Sequence, residues 1–128
     1  MKIIGIIGGF GPETTAQFYL EIIFRCFKKY KIAKPPILIW SVPLKYKIEE
    51  NLLKNAKGKN EYLFYLIEAA KILEKGGADF LVMPCNSLHI FIDIIQKSVR
   101  IPILNIAEET IKYLKNKKIK KLAFLLPK

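Results

Sequence analysis

The run Asp79-Phe80-Leu81-Val82-Met83-Pro84-Cys85-Asn86-Ser87-Leu88-His89 decides how this chain folds. Its first part, Phe80-Leu81-Val82, is short, β-prone and uncharged after Asp79, the pattern of a strand buried in a parallel sheet. Beyond His89, Ile90, Phe91, Ile94 and Ile95 recur at helical spacing, while Asp93, Gln96 and Lys97 fall mostly on other faces. Cys85 therefore stands where a strand gives way to a helix, with Asn86 or Ser87 placed to cap that helix. Ligands of open α/β sheets bind just outside the carboxyl ends of strands. Free helix-terminal N–H groups at such a point favour an anion and a thiolate. Two readings of Cys85 stand side by side: a thiol placed for chemistry, and the small buried hydrophobe that most lone cysteines are. Cys26, enclosed in the aromatic and aliphatic stretch Phe18-Tyr19-Ile22-Ile23-Phe24-Phe27, reads as structural.

Working outward, strands and helices alternate. Lys2 to Ile7 reads as strand one, followed by the loop Gly8-Gly9-Phe10-Gly11-Pro12 and a helix from about Glu13 to Tyr30 with proline at or before its first turn. Pro35-Pro36 breaks the chain, and Ile37 to Val42 is strand two. The signal from Pro43 to Lys59 is mixed, with Lys57-Gly58-Lys59-Asn60 a loop. An amphipathic helix over Glu61 to Lys75 ends at the stop signal Gly76-Gly77. Strand three leads into the cysteine loop and a helix reaching about Val99. Pro102 to Ile106 is strand four, Glu108 to Asn116 a helix, and Leu122 to Leu126 strand five, followed by Pro127-Lys128. The alternation predicts an α/β fold: a doubly wound parallel sheet of four to five strands with helices on both faces.

The chain has 128 residues, one ordinary domain, and its 52% hydrophobic content and mean hydropathy of +0.20 suit a real core. No apolar run reaches membrane-spanning length, and Met1-Lys2 leads straight into a strand-like run with no secretory signal. Two unpaired, distant cysteines suggest a reducing cytoplasm. The net charge of +11 raises the question of nucleic acid. Every basic residue except Arg25 and Arg100 is a lysine, and the clusters at 28–31 and 115–121 follow helices, where cations oppose the negative helix end. Solvated lysines without bidentate arginines do not make a specific nucleic-acid reader, and only non-specific attraction to polyanions at low salt is expected.

The glycine loop is not a dinucleotide fingerprint. Thr14 stands where the third glycine belongs, and no acidic residue ends strand two, where Ser41 and Val42 stand. Nor is there the Lys-Ser/Thr pair of a P-loop. What is left is backbone able to approach a ligand closely, suited to a small carboxylate, or a tight turn that merely needs glycine.

Taken together, Ile4-Gly5-Ile6-Ile7-Gly8-Gly9-Phe10-Gly11-Pro12-Glu13-Thr14-Thr15 with Tyr19, Gly77 to His89, and Ile101 to Thr110 resemble the aspartate/glutamate racemase family. The resemblance runs along the whole chain but spans only the first half of the family's usual length. It implies a single α/β domain over 1–128, similar to the family's N-terminal domain, with the C-terminal domain absent. It also implies cofactor-independent amino-acid racemisation with no pyridoxal phosphate and no metal. In that chemistry a cysteine from each domain works on opposite faces of Cα, and Cys85 would be one acid/base. Asn86 and Ser87 would touch the carboxylate of an amino or dicarboxylic acid substrate, and the Gly9, Phe10 and Gly11 backbone would line the pocket. His89, one helical turn past Cys85, is placed to support that loop or to act as a plain structural hydrogen-bonder. Glu108 and Glu109 read as solvated first-turn carboxylates.

Two departures from the family pattern shape the expectations. The second cysteine is missing, and after strand two Ser41-Val42-Pro43-Leu44-Lys45-Tyr46-Lys47-Ile48 lacks the arginine that grips a side-chain carboxylate in aspartate-specific members; Lys45 or Lys47 would be the substitutes. Rival expectations are a related carbon-acid enzyme of the hydantoin racemase, arylmalonate decarboxylase or maleate isomerase type, and a non-catalytic remnant or binding domain. Self-association or pairing with a complementary second domain is expected, because nothing follows strand five to cover it.

Overall fold

The computed structural model describes residues 1–31, 34–45, 48 and 59–121. Among them the sheet has three parallel strands in the order β2-β1-β3: β1 Ile4–Gly8, β2 Ile37–Ser41 and β3 Phe80–Val82. Register sets Ile4 opposite both Ile37 and Phe80, Ile6 opposite Ile39 and Val82, and Gly8 opposite Ser41. Helix α1, Pro12–Tyr30, links β1 to β2 and helix α2, Lys59–Lys75, precedes β3. Alternation along β1 sends Ile7 into the core shared with α2, whereas Gly8 on the opposite face meets Thr15 of α1. The helices thus cover both faces, as the doubly wound pattern requires, and the chain changes direction at β1. Among the described residues no helix is long and apolar enough to cross a membrane.

The core lies mainly on the α2 face. Tyr62, Leu66, Ala69, Ala70 and Leu73 form one buried stripe of α2 at spacings of three and four. They pack with Ile7, Leu81, Phe91, Ile92, Ile95 and Val99. The α1 face is thinner. Thr15 is the buried residue of α1, and Leu20, Phe24, Phe27 and Tyr30 are exposed. Cys26 is half-buried on this helix.

The expected strand four is reduced to one parallel bridge, Leu81 to Ile103. The Leu81 N–H donates to the Pro102 carbonyl (2.8 Å), and the Leu81 carbonyl accepts from Leu104 N–H (2.9 Å). On the far side of that segment the Gln96 side chain takes the place of a neighbour: its Nε2 donates to the Ile101 carbonyl at 3.0 Å, and its Oε1 accepts from Ile103 N–H at 2.8 Å. Asn105 then caps a new helix with its side chain, accepting from Ala107 N–H at 2.9 Å, so Ile106 belongs to helix and not to strand. This capping explains why helix Ile106–Asn116 starts two residues before its expected first residue, Glu108. Strand five, Leu122 to Leu126, lies outside the described residues.

The segment after Cys85 also differs from one continuous helix. It opens as a 3₁₀ turn, Ser87–Phe91, and continues as the short helix α3, Ile92–Gln96; Ile106–Asn116 is then α4. Asn86 occupies the capping position but makes no side-chain cap, its backbone carbonyl instead accepting from His89 N–H at 3.1 Å. A 3₁₀ turn running into a five-residue helix carries a much smaller dipole than a full helix, so little anion or thiolate stabilisation comes from that source.

Candidate active site

All three strands are parallel, so the loops after β1, β2 and β3 leave from one edge of the sheet. The glycine loop and the cysteine loop flank the point where the chain changes direction, the place where such sheets hold ligands. Gly9 and Gly11 have φ of 95° and 80°. A side chain on Gly9 would lie 2.9 Å from Val42 N and 3.1 Å from Ser41 Oγ, so only glycine lets this loop sit against the end of β2. Val42 N–H donates to the Gly8 carbonyl at 3.0 Å, extending the pairing to the base of the loop. Phe10 packs its ring on the buried Tyr62 of α2, with centroids 5.6 Å apart.

Thr15 organises the loop from within. Its Oγ1 accepts from Gly9 N–H at 3.1 Å and donates to the Gly11 carbonyl at 3.2 Å, while its own N–H donates to the same carbonyl at 3.0 Å. Thr15 is only 8% exposed. Sequence reasoning assigned it nothing. The available signal was a threonine four residues past a glycine that precedes a helix, a spacing at which the hydroxyl reaches the i−4 carbonyl. One consequence is that the Gly9 N–H is already engaged inside the protein.

Cys85 is half-buried and packs against the core at its margin, as do Phe10 and Leu44. Its N–H donates to the Met83 carbonyl at 2.8 Å, a tight turn that lifts the residue out of the strand direction. The His89 ring lies 2.8 Å through Nδ1 from the Cys85 carbonyl. A carbonyl can only accept, so Nδ1 carries the proton there. Nε2 is buried and has no partner among the described residues. Asn86 and Ser87 are exposed at the same edge.

The lysines expected to read a side chain fare differently. Lys45 is exposed just past β2, where its carbonyl accepts from Ile48 N–H at 2.9 Å, and it borders an open depression with Ile48, Asn60, Glu61, Phe64 and Tyr65. Lys47 lies outside the described residues. Behind the cysteine loop, on the α1 face, a cavity of about 190 Å³ is lined by residues of α1, β3 and the cysteine loop, Phe18, Val82, Met83, Pro84 and His89 among them, and by Leu104, Ile106 and Glu109. Glu109 is exposed in the first turn of α4 and pairs with Lys112 at 2.6 Å. That hydrogen bond first, and then the charge of Glu109, raises the pKa of Lys112. Glu108 is exposed too. Among the described residues no three His, Cys, Asp or Glu side chains gather closely enough to hold a metal ion.

The protein is thus an α/β protein whose glycine loop and cysteine loop flank the switch point of a parallel sheet. The profile of the Asp/Glu/Hydantoin racemase family matches residues 7–126, and the chain belongs to that family. It is 36% identical over 118 residues to the broad specificity amino-acid racemase RacX of Bacillus subtilis (strain 168), covering 86% of this chain and 48% of RacX. Among solved structures it matches a protein assigned as an Asp/Glu racemase from Yersinia pestis with a TM-score of 0.81 and 29% identity, over 93% of this chain and 51% of that one. It also matches PH1733, an aspartate racemase homologue from Pyrococcus horikoshii OT3, with a TM-score of 0.74 and 30% identity, over 91% of this chain and 50% of that one. The chain spans about half the length of these relatives.

Proposed function

We propose that this chain is the cysteine-bearing half of a cofactor-independent amino-acid racemase, corresponding to the N-terminal domain of a two-domain enzyme. The observation that carries the reading is Cys85 in a turn at the carboxyl edge of the sheet, beside the glycine loop, in a member of the Asp/Glu/Hydantoin racemase family. In the reaction the Cys85 thiolate takes the α-proton of a free amino acid: an S–H bond forms, the Cα–H bond breaks, and the electron pair moves into the carboxylate. Such a carbon acid is weak, so the base and the groups around the carboxylate must be held in place beforehand. Asn86 and Ser87, exposed next to the thiol, and the Phe10–Gly11 backbone are the groups assigned to the carboxylate. His89 supports the cysteine loop.

Inversion needs a second acid on the opposite face of Cα. Cys26 does not supply it. It lies fourteen residues into α1, which starts at the carboxyl edge and runs away from it, and at about 1.5 Å per residue that is roughly 20 Å from the helix start. The second group must come from a complementary half, which is the partner this reading requires. On the substrate, the absence of an arginine after β2 and the apolar Val42-Pro43-Leu44 at that position argue against a site restricted to dicarboxylates. The broad specificity named for RacX agrees with that. Lys45 and Lys47 are the cations available for an acidic side chain.

The test is solvent-deuterium incorporation at Cα over a panel of single enantiomers, read by NMR. The expected result is slow exchange with retention of configuration, abolished in Cys85→Ser. Exchange that persists in Cys85→Ser would overturn the assignment of the base, and no exchange with any member of the panel would favour a non-catalytic binding domain.

A further inference from the structure

We propose that Thr15 is the positioning residue of the candidate site, holding the glycine loop in the one shape that presents its backbone to an amino-acid ligand. The inference rests on the racemase reading, since it assigns the ligand, but its structural basis is independent of it. Thr15 is buried on the first turn of α1 and its hydroxyl both accepts from and donates to the loop: Oγ1 receives the Gly9 N–H at 3.1 Å and gives its proton to the Gly11 carbonyl at 3.2 Å. Its methyl group fills the space over Gly8, where a side chain would come within 2.6 Å of Thr15 Cγ2. Gly9 and Gly11, the loop's two left-handed residues, are therefore tied to one side chain, and Phe10 between them is fixed from the other side by Tyr62.

This arrangement settles which groups of the loop are left for a ligand. The Gly9 N–H points inward to Thr15, and the Gly11 carbonyl, which would repel a carboxylate, is drawn back by two donors, the Thr15 hydroxyl and the Thr15 N–H. The ligand-facing surface of the loop is then the peptide backbone around Phe10. Thr15 touches no ligand in this scheme; it acts through the loop. An isosteric valine keeps the methyl packing and removes both hydroxyl bonds. Serine keeps the bonds and loses only the methyl.

Protection of Cys85 from iodoacetamide by the L and D forms of alanine, aspartate and lysine measures this on the chain as it is, each variant being compared with its own unprotected rate. Amide exchange at Gly9, followed by NMR, reports on the tie itself. Thr15→Val is expected to raise the half-protecting concentration about tenfold or more, the equivalent of about 1.4 kcal/mol, and to speed Gly9 exchange. Thr15→Ser is expected to stay close to wild type in both. Gln96→Ala, which loses stability at the far edge of the sheet, serves as the control and should keep full protection. Protection of wild type that survives in Thr15→Val, or that is lost equally in Gln96→Ala, overturns the positioning role alone. Absence of protection of wild type by any of the six amino acids overturns the racemase reading and the positioning role with it.

Discussion

Gly8→Ala is the substitution whose cost can be worked most directly from the geometry. The new Cβ would stand 2.6 Å from Thr15 Cγ2, 3.2 Å from Thr15 Oγ1 and 3.5 Å from Ile39 Cγ2. Carbon atoms in contact prefer about 3.5–4.0 Å, so the first distance is a clash. Thr15 has two ways to respond. If its side chain rotates, it gives up the bonds to Gly9 and Gly11, each worth about 1 kcal/mol net and more where a part-buried group is left unpaired. If it stays, the strand and helix must separate, and overpacking of this kind costs about 1–3 kcal/mol. The two routes together bound the loss at about 1–3 kcal/mol.

The geometry also says which second substitution relieves the clash. Thr15→Ser deletes the offending methyl at a cost of about 1 kcal/mol, the loss of one buried carbon, and keeps the hydroxyl. The double variant Gly8→Ala/Thr15→Ser should therefore cost less than the sum of its parts by about 1–2 kcal/mol. Relief stays incomplete, because Oγ1 at 3.2 Å is still tight. Urea denaturation followed by far-UV circular dichroism measures this, with midpoints compared at equal m values. Additive costs, within about 0.5 kcal/mol, would refute the claim that the methyl of Thr15 is what excludes a side chain at residue 8. A near-neutral Gly8→Ala would refute the packing argument entirely.

Gln96→Ala removes both side-chain bonds to the segment after α3 and leaves the part-buried Ile101 carbonyl and Ile103 N–H unpaired; a loss of about 2 kcal/mol is expected in the same urea assay. Lys118 holds φ of 56° after α4, where Ile119 N–H closes back on the Leu114 carbonyl at 3.1 Å. Lys118→Gly should stabilise the protein by about 0.5–1 kcal/mol, since a left-handed non-glycine residue costs about 1–2 kcal/mol and glycine gives part of that back as chain entropy. Cys85 stands in a turn at the site edge and Cys26 along the body of α1. Limiting iodoacetamide near neutral pH should label Cys85 roughly fivefold faster or more, read by peptide mass spectrometry, and equal labelling would count against Cys85 as the reactive thiol.

The order of elements was legible because most of the chain obeys simple periods. The stripe Tyr62, Leu66, Ala69, Ala70 and Leu73 is what amphipathic spacing predicts for α2, and Gly76-Gly77 ends that helix as expected. Pro12 opens α1 at its first position. Strand four misled for a physical reason: Pro102 to Ile106 is as apolar as a strand should be, but Gln96 competes for its edge and Asn105 competes for its end. Both are side-chain hydrogen bonds, which leave no mark in hydrophobic periodicity. The helix after Cys85 misled similarly. Ile90, Phe91, Ile94 and Ile95 have the spacing of an α-helix, yet the first turn winds tighter, and Leu88, Phe91, Ile92 and Ile95 are the residues that turn inward.

The site was legible in its loops and not in what holds them. Cys85 and the three loop glycines stand out by residue type, whereas Thr15 was read only as part of the N-terminal motif and His89 drew only a general supporting role. Yet the two do the same thing. Thr15 Oγ1 donates to the carbonyl of Gly11, and His89 Nδ1 donates to the carbonyl of Cys85, each reaching back four residues to the end of its loop. In both loops a backbone oxygen is engaged by a side chain one helical turn later. The electrostatic consequence bears on the proposed chemistry. Charge builds on the substrate carboxylate as the α-proton leaves, and an unengaged carbonyl nearby would oppose it. Engaging these two oxygens costs the loops nothing at the moment of reaction, because the bonds exist before any ligand arrives. On the racemase reading, this half therefore contributes more than a thiol. It contributes an edge from which the two most obvious sources of repulsion have already been withdrawn, and the complementary half has only to bring the second acid to the other face of Cα.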